Sequence, residues 1–228
     1  MRFAPALPPP LTEQAEEIET VWNVFLIGAA LVFAFVAVLV VFILVRFRRR
    51  SDRLPRQVRE NIPFELAYTA IPLVIVLALF VITFVTVRSV DAEAESDSDV
   101  DLVVDVIGFR WQWRFEYPED GVVVNGTEED IPELVLPASS TVRFRVTSVD
   151  VIHSFWITGF RYKRDMFPNE VQTIDVDMND RVGAYPAAGV CSEFCGLDHH
   201  KMYFDVRIVT PEEFEQWVAG NDGDEVPA

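Results

Sequence analysis

The sequence predicts a two-helix transmembrane hairpin followed by an all-β sandwich or small barrel, and three observations carry that expectation. Two long uncharged apolar runs occupy the first ninety residues, alternating strand patterns fill the remainder, and turn residues punctuate those strands at short intervals. The first run, Val21 to Val45, holds 25 residues without a charge, enough for a helix to cross a hydrocarbon core of roughly 30 Å. The second, Leu66 to Val87, holds 22. A soluble domain would need other apolar elements packed all round two such helices, and the neighbouring sequence supplies charge instead.

Charge sets the orientation. Seven arginines (46, 48, 49, 50, 53, 56 and 59) lie between the runs, which places that loop in the cytoplasm and both termini outside the plasma membrane. Glu13, Glu16, Glu17 and Glu19 precede the first run, the reverse of a signal peptide's basic start, and the run is too long for an h-region, so it is expected to stay in the mature protein. The expected organisation is an extracytoplasmic segment 1–20, the hairpin 21–90, an acidic linker 91–99, a β domain 100–210, and a C-terminal helix and tail 211–228.

Residues 91–228 carry 29 Asp and Glu against 10 Lys and Arg, a surface that repels nucleic acid. The whole chain has 17 arginines and 2 lysines, and acid excess with scarce lysine is what a halophile's protein, working in concentrated salt, is expected to show. Most of these charges read as a solvated face.

Val142, Phe144 and Val146 alternate with Arg143, Arg145 and Thr147, and Tyr203 to Val209 repeats that period of two. Leu102 to Val106, Val122 to Val124, Leu134 to Leu136 and Val171 to Val176 read as further short strands, separated by Pro118, Gly121, Asn125-Gly126, Pro132, Pro137 and Asn179-Asp180. The class this predicts is antiparallel β. Thr210-Pro211-Glu212-Glu213 combines a capping Thr, a first-turn Pro and an acid at the third position, so Pro211 to Val218 is expected to be helical and the last eight residues a loose tail.

The chemistry concentrates in Cys191-Ser-Glu193-Phe-Cys195-Gly-Leu-Asp-His199-His-Lys-Met202, which holds both cysteines, two of three histidines and a methionine. The third histidine, His153, lies upstream. Thiolates and a thioether are soft donors that favour copper, and imidazole suits it too. Three other readings stay open on residue types alone: a structural disulfide with incidental histidines, a structural Cys2His2 zinc site, and a one-copper carrier using a single cysteine. The disulfide would close a small strained loop, zinc has no use for Met202, and one copper leaves the second cysteine unexplained.

An upstream His followed by C-x-E-x-C-x-x-x-H-x-x-M resembles the dinuclear copper (CuA) motif of subunit II of haem-copper cytochrome c oxidases. The likeness extends over most of the chain: two membrane helices, then Gly108-Phe-Arg-Trp111-Gln-Trp113, then the copper loop, in that family's order. It implies a cupredoxin-like β domain in which Cys191 and Cys195 bridge two copper ions. One copper would take His153 and Met202, the other His199 and the backbone carbonyl of Glu193, whose carboxylate points to a Mg2+ shared with subunit I. It also implies reception of electrons from a cytochrome c or a small blue-copper protein, and delivery to haem in subunit I, where oxygen is reduced and protons are pumped; subunit III is a further expected partner. Rivals on the same fold are a quinol oxidase subunit, which lacks these ligands, and the copper subunit of a related nitric oxide reductase. From another class, a zinc- or disulfide-stabilised membrane scaffold remains.

Trp111 resembles the family's tryptophan through which electrons enter, whereas Trp113 and Tyr117 are expected in the core; no role falls to His200. Glu65-Leu-Ala-Tyr68-Thr69-Ala-Ile-Pro72 is similar to the family's E-x-x-W-T-x-x-P, whose glutamate lies near the mouth of a proton channel, although a helix-capping acid would look the same. Asp165-Met-Phe-Pro168-Asn169-Glu170 is similar to D-x-x-P-G-R, with Asn169 able to keep a left-handed turn.

Overall fold

The computed structural model describes residues 7–49, 57–127, 129–221 and 225–227. The chain divides into two compact units, Glu19–Arg88 and Met1–Ile18 with Ser89–Ala228. Arg50, Arg53 and Arg56 of the arginine-rich connection lie outside the described residues.

Each apolar run sits inside a longer helix. Helix α1 (Glu13–Arg46, 34 residues) starts ahead of its run because Thr12, fully buried, caps it: the Thr12 Oγ1 accepts from the Ala15 N–H at 3.1 Å, and Glu13 and Glu16 complement the positive end of the helix. Helix α2 (Ile62–Val90, 29 residues) starts on a reciprocal cap: the Phe64 N–H reaches Asn61 Oδ1 at 3.4 Å, and the Asn61 N–H donates to Glu65 Oε1 at 3.0 Å. At 1.5 Å per residue, the two uncharged runs span roughly 37 and 33 Å, a bilayer's hydrocarbon thickness. Their apolar side chains, Leu31, Phe33, Leu44, Phe64 and Leu66 among them, stand exposed in the isolated chain. Water would penalise such surface by about 25 cal/mol per Å², so hydrocarbon or protein must cover it.

The second unit is a two-sheet sandwich. In chain order its strands are β1 (Leu102–Phe109), β2 (Gln112–Tyr117), β3 (Val122–Asn125), β4 (Glu133–Pro137), β5 (Thr141–Ser148), β6 (His153–Ile157), β7 (Tyr162–Met166), β8 (Gln172–Asp177), β9 (Gly183–Cys191) and β10 (Tyr203–Val209), followed by α3 (Pro211–Asn221) and β11 (Glu225–Pro227). One sheet runs β11-β3-β2-β1-β5-β8, the other β4-β10-β9-β6-β7. Alternation sends Val104, Val106, Trp113, Phe115, Phe144 and Val146 of the first sheet inward, towards Leu134, Phe155, Ile157, Phe204 and Val206 of the second. Phe204 is the hub, with ring centroids 5.2 Å from Trp113, 5.1 Å from Phe115 and 5.4 Å from Phe155. Trp113 and Tyr117 are core residues, as expected, and the buried Tyr117 hydroxyl is satisfied by donating to the Val135 carbonyl at 2.9 Å and accepting its N–H at 3.0 Å. Thr210 and Glu213 cap α3 reciprocally, and the helix lays Phe214 and Trp217 on Tyr117.

Two expectations are corrected. The sandwich is mixed rather than antiparallel: β1 pairs β5, β4 pairs β10 and β11 pairs β3 in parallel. Alternation of side chains assigns faces but carries no information on strand direction. The C-terminal tail is not wholly loose, because Glu225–Pro227 joins the edge of the first sheet beside β3; Asp222–Asp224 and Ala228 lie outside the described residues.

The acidic stretch after α2 is solvent-exposed, as expected, yet tethered to the sandwich at a few points. Arg143, 6% exposed, binds Asp175 at 2.6 Å, Asp97 at 2.9 Å and the Ala94 carbonyl at 2.7 Å. Tyr162 donates to Asp91 at 2.7 Å. Changing Asp175 to alanine leaves Arg143 buried with half its anionic partners and is expected to cost about 3 kcal/mol in denaturant unfolding of the full chain.

Candidate metal centre

Three segments of the sandwich meet at the centre. Loop 192–202 joins β9 to β10 and is closed at its neck by the Cys191 N–H donating to the Met202 carbonyl at 3.1 Å. Strand β6 lies beside β9 with Phe155 opposite Cys191, and the alternation that turns Phe155 and Ile157 inward also turns His153 inward, just beyond the cysteine. The turn between β1 and β2 brings Trp111.

The sulfurs of Cys191 and Cys195 are free, buried and 3.9 Å apart. His153 Nδ1 lies 3.8 Å from the Cys191 sulfur and His199 Nδ1 3.6 Å from that of Cys195. The Glu193 carbonyl accepts from Cys191 at 3.2 Å, and the Met202 sulfur is 3.9 Å from Cys195. His153, Cys191 and Cys195 offer ligand atoms all within 4.8 Å of one another. The structure therefore gathers all six residues expected to hold metal. Trp111 joins them: its indole N–H donates to the Cys195 carbonyl at 3.3 Å, and its ring lies against Gly196. Glu65 belongs to α2 in the other unit, where it takes part in that helix's cap. Asn169 takes φ 63°, the left-handed turn expected of it.

Two glycines make room. A Cβ at Gly108 would come within 3.3 Å of the His153 ring, and one at Gly196, at φ 124°, within 3.2 Å of the Trp111 indole. Asp150 is not among the site residues expected from the sequence; its Oδ1 meets His153 Nε2 at 2.9 Å and leaves Nδ1 as the nitrogen facing the sulfurs. An acid three residues before a candidate ligand was the signal available.

Donor chemistry tests the fit to a cation. Burial pushes the Cys191 thiol up, but bonding to His153 and to the backbone at Glu193 and Ser154 brings it down overall; burial and then the Cys191 charge push Cys195 up. Two thiolates this close repel, so both can be ionised together only with positive charge between them. Two soft sulfurs, a thioether, two imidazoles and a carbonyl fit copper, which soft donors favour.

The patterns of known families agree. Residues 3–86 match "Cytochrome C oxidase subunit II, transmembrane domain" and residues 126–209 match "Cytochrome C oxidase subunit II, periplasmic domain". A Streptomyces coelicolor protein named probable cytochrome c oxidase subunit 2 is 35% identical over 92% of this chain and 76% of its own length. Its Streptomyces avermitilis counterpart, of the same name, is 32% identical over the same shares. A crystal structure of the periplasmic domain of subunit II of cytochrome oxidase from Bradyrhizobium japonicum is 30% identical, covering 54% of this chain and 94% of that one at a TM-score of 0.48. The two apolar helices are thus the membrane domain and the sandwich the cupredoxin-like domain of a haem-copper oxidase subunit, a family that implies a copper centre: the chain belongs to the cytochrome c oxidase subunit II family.

Proposed function

We propose that this chain receives single electrons at a dinuclear CuA centre and passes them to haem in subunit I, where oxygen is reduced to water and protons are pumped. The observation that carries this reading is the pair of unlinked sulfurs 3.9 Å apart with an imidazole nitrogen beside each. In it Cys191 and Cys195 would hold two copper ions together with His153, Met202, His199 and the Glu193 carbonyl. Bound there, the ions supply one-electron transfer, with the electron shared between them. The chain's part is to hold six donors on a buried, hydrogen-bonded frame, so that little needs to move as charge changes. Trp111, half-buried and bonded to the Cys195 carbonyl, leads electrons inward from the surface.

In the same reading residues 1–20 and 91–228 lie outside the plasma membrane, 21–90 form the membrane hairpin with a cytoplasmic arginine-rich loop, and 100–210 form the copper domain after the linker 91–99. Glu65 faces the mouth of a proton channel in subunit I, and the exposed Glu193 carboxylate shares Mg2+ with that subunit. Subunit III completes the partner set.

Copper supplied to the purified full chain is expected to give two ions per chain and a purple form absorbing in the near infrared. Uptake of one ion only, or of zinc in preference, overturns the reading. Because Glu193 contributes its carbonyl, Glu193→Gln is expected to leave copper count and near-infrared band unchanged while weakening Mn2+ bound in place of Mg2+ in the assembled oxidase, as read by electron paramagnetic resonance.

Acids cover the domain and mark no docking patch, whereas Phe194 and Leu197 of the ligand loop are 77% and 82% exposed. The donor therefore docks on apolar surface beside Trp111. Screening shortens from roughly 10 Å at 0.1 M salt to 3 Å at 1 M, so reduction of the centre is expected to change less than about threefold across that range in stopped-flow measurements. A steep decline would place charge at the interface instead.

A further inference from the structure

We propose that Asp150 is a positioning residue that ties His153 to the segment carrying Trp111, an inference that adds to the copper reading a residue without contact to metal. Both oxygens of this carboxylate are committed. Oδ1 meets His153 Nε2 at 2.9 Å and accepts the Val151 N–H at 2.6 Å. Oδ2 accepts the Arg110 backbone N–H at 2.8 Å and its Nε–H at 3.2 Å. Asp150 is itself held, since its N–H donates to Ser148 Oγ at 3.2 Å and that hydroxyl donates to the Val151 carbonyl.

Arg110 directly precedes Trp111, so one side chain fixes two things at once. A neutral imidazole carries a single N–H; giving it to Asp150 leaves the Nδ1 lone pair directed at the sulfurs. Anchoring the Arg110 backbone sets where the following residue leaves the sheet, and from there the Trp111 indole reaches the Cys195 carbonyl at 3.3 Å. The contacts form a closed circuit from Cys191 through His153, Asp150, Arg110 and Trp111 to Cys195. A residue that only stabilised the loop would not need to reach both His153 and the residue that directly precedes the tryptophan.

The test uses the full chain in detergent, labelled with 15N-histidine and 5-fluorotryptophan, first without copper and at mildly alkaline pH. In the unmodified chain His153 is expected to show one neutral tautomer with its proton on Nε2. Trp111, identified by the signal missing from Trp111→Phe, is expected to show one sharp 19F line. Asp150→Ala is expected to give His153 both tautomers, to shift or broaden the Trp111 line, and to lower copper affinity ~10–100-fold. Should that variant not fold, Asp150→Asn decides, because an amide offers one acceptor oxygen where a carboxylate offers two, and whichever way it turns one of the two signals must move. The proposal is overturned if either signal keeps its unmodified position in Asp150→Ala, or if both do in Asp150→Asn. If both signals move while copper uptake matches the unmodified chain, the positioning role stands and it is His153 as a copper ligand that fails.

Discussion

Changing Cys195 to serine is expected to abolish the near-infrared band of the copper-loaded chain and to cut uptake to no more than one ion. Each sulfur is buried beside one imidazole, and only 3.9 Å separates them. A serine oxygen is hard, does not ionise in this range and cannot share its charge between two ions, so the bridge is lost even though the side chain is almost the same size. For that reason the sandwich should tolerate the change, with stability moving by about 1 kcal/mol or less in metal-free chain. Metal analysis with near-infrared absorption checks the first part and thermal unfolding the second. Retention of two ions and the band would mean that the sulfurs do not bridge.

The largest loss of stability is expected from Phe204→Ala. Phe204 is fully buried and touches three aromatic rings drawn from both sheets, and Gly189 on the adjacent strand has no side chain because a Cβ there would come within 2.1 Å of the Phe204 ring. Such a tightly enclosed position has little freedom to collapse, so truncation should cost about 3–5 kcal/mol. Over a domain of this size that corresponds to roughly 10 °C in Tm by differential scanning calorimetry of the full chain. Trp113 sits against the same ring and donates from its indole to the Met202 carbonyl at 3.4 Å, so the cavity should also loosen the ligand loop. A fall of less than about 1 kcal/mol would show that the core repacks around the void.

The membrane helices and the clustering of the proposed ligands were legible in the sequence because each is written locally. An uncharged run is its own signal, and five of the six donor residues stand within twelve positions. What escaped is non-local or contrary to local preference. Strand β9 reads Gly-Ala-Tyr-Pro-Ala-Ala-Gly-Val-Cys, rich in residues that disfavour strands, and it forms because β10 and β6 bond it from both sides. The parallel union of β1 with β5 joins segments 40 residues apart, and periodicity of either segment says nothing of the other's direction. The exposed aspartates of 91–99 read as solvated charge and most are, but nothing in their neighbourhood announces the buried Arg143 that bonds Asp97 and the Ala94 carbonyl. Asp150 was passed over for a related reason: a lone acid acquires meaning only when the strand that follows places His153 above it.

Because the neck of the loop is cinched by the Cys191 and Met202 backbones, five of the six proposed donors belong to one short hairpin segment and a single one comes from elsewhere. Chemistry and architecture are consequently almost separable in this molecule. Under the proposed ligand set, substitutions within a dozen positions would retune or erase the metal's electronic character while the two stacked sheets persist, and only the strand bearing the lone outside imidazole would oblige architecture and chemistry to change together.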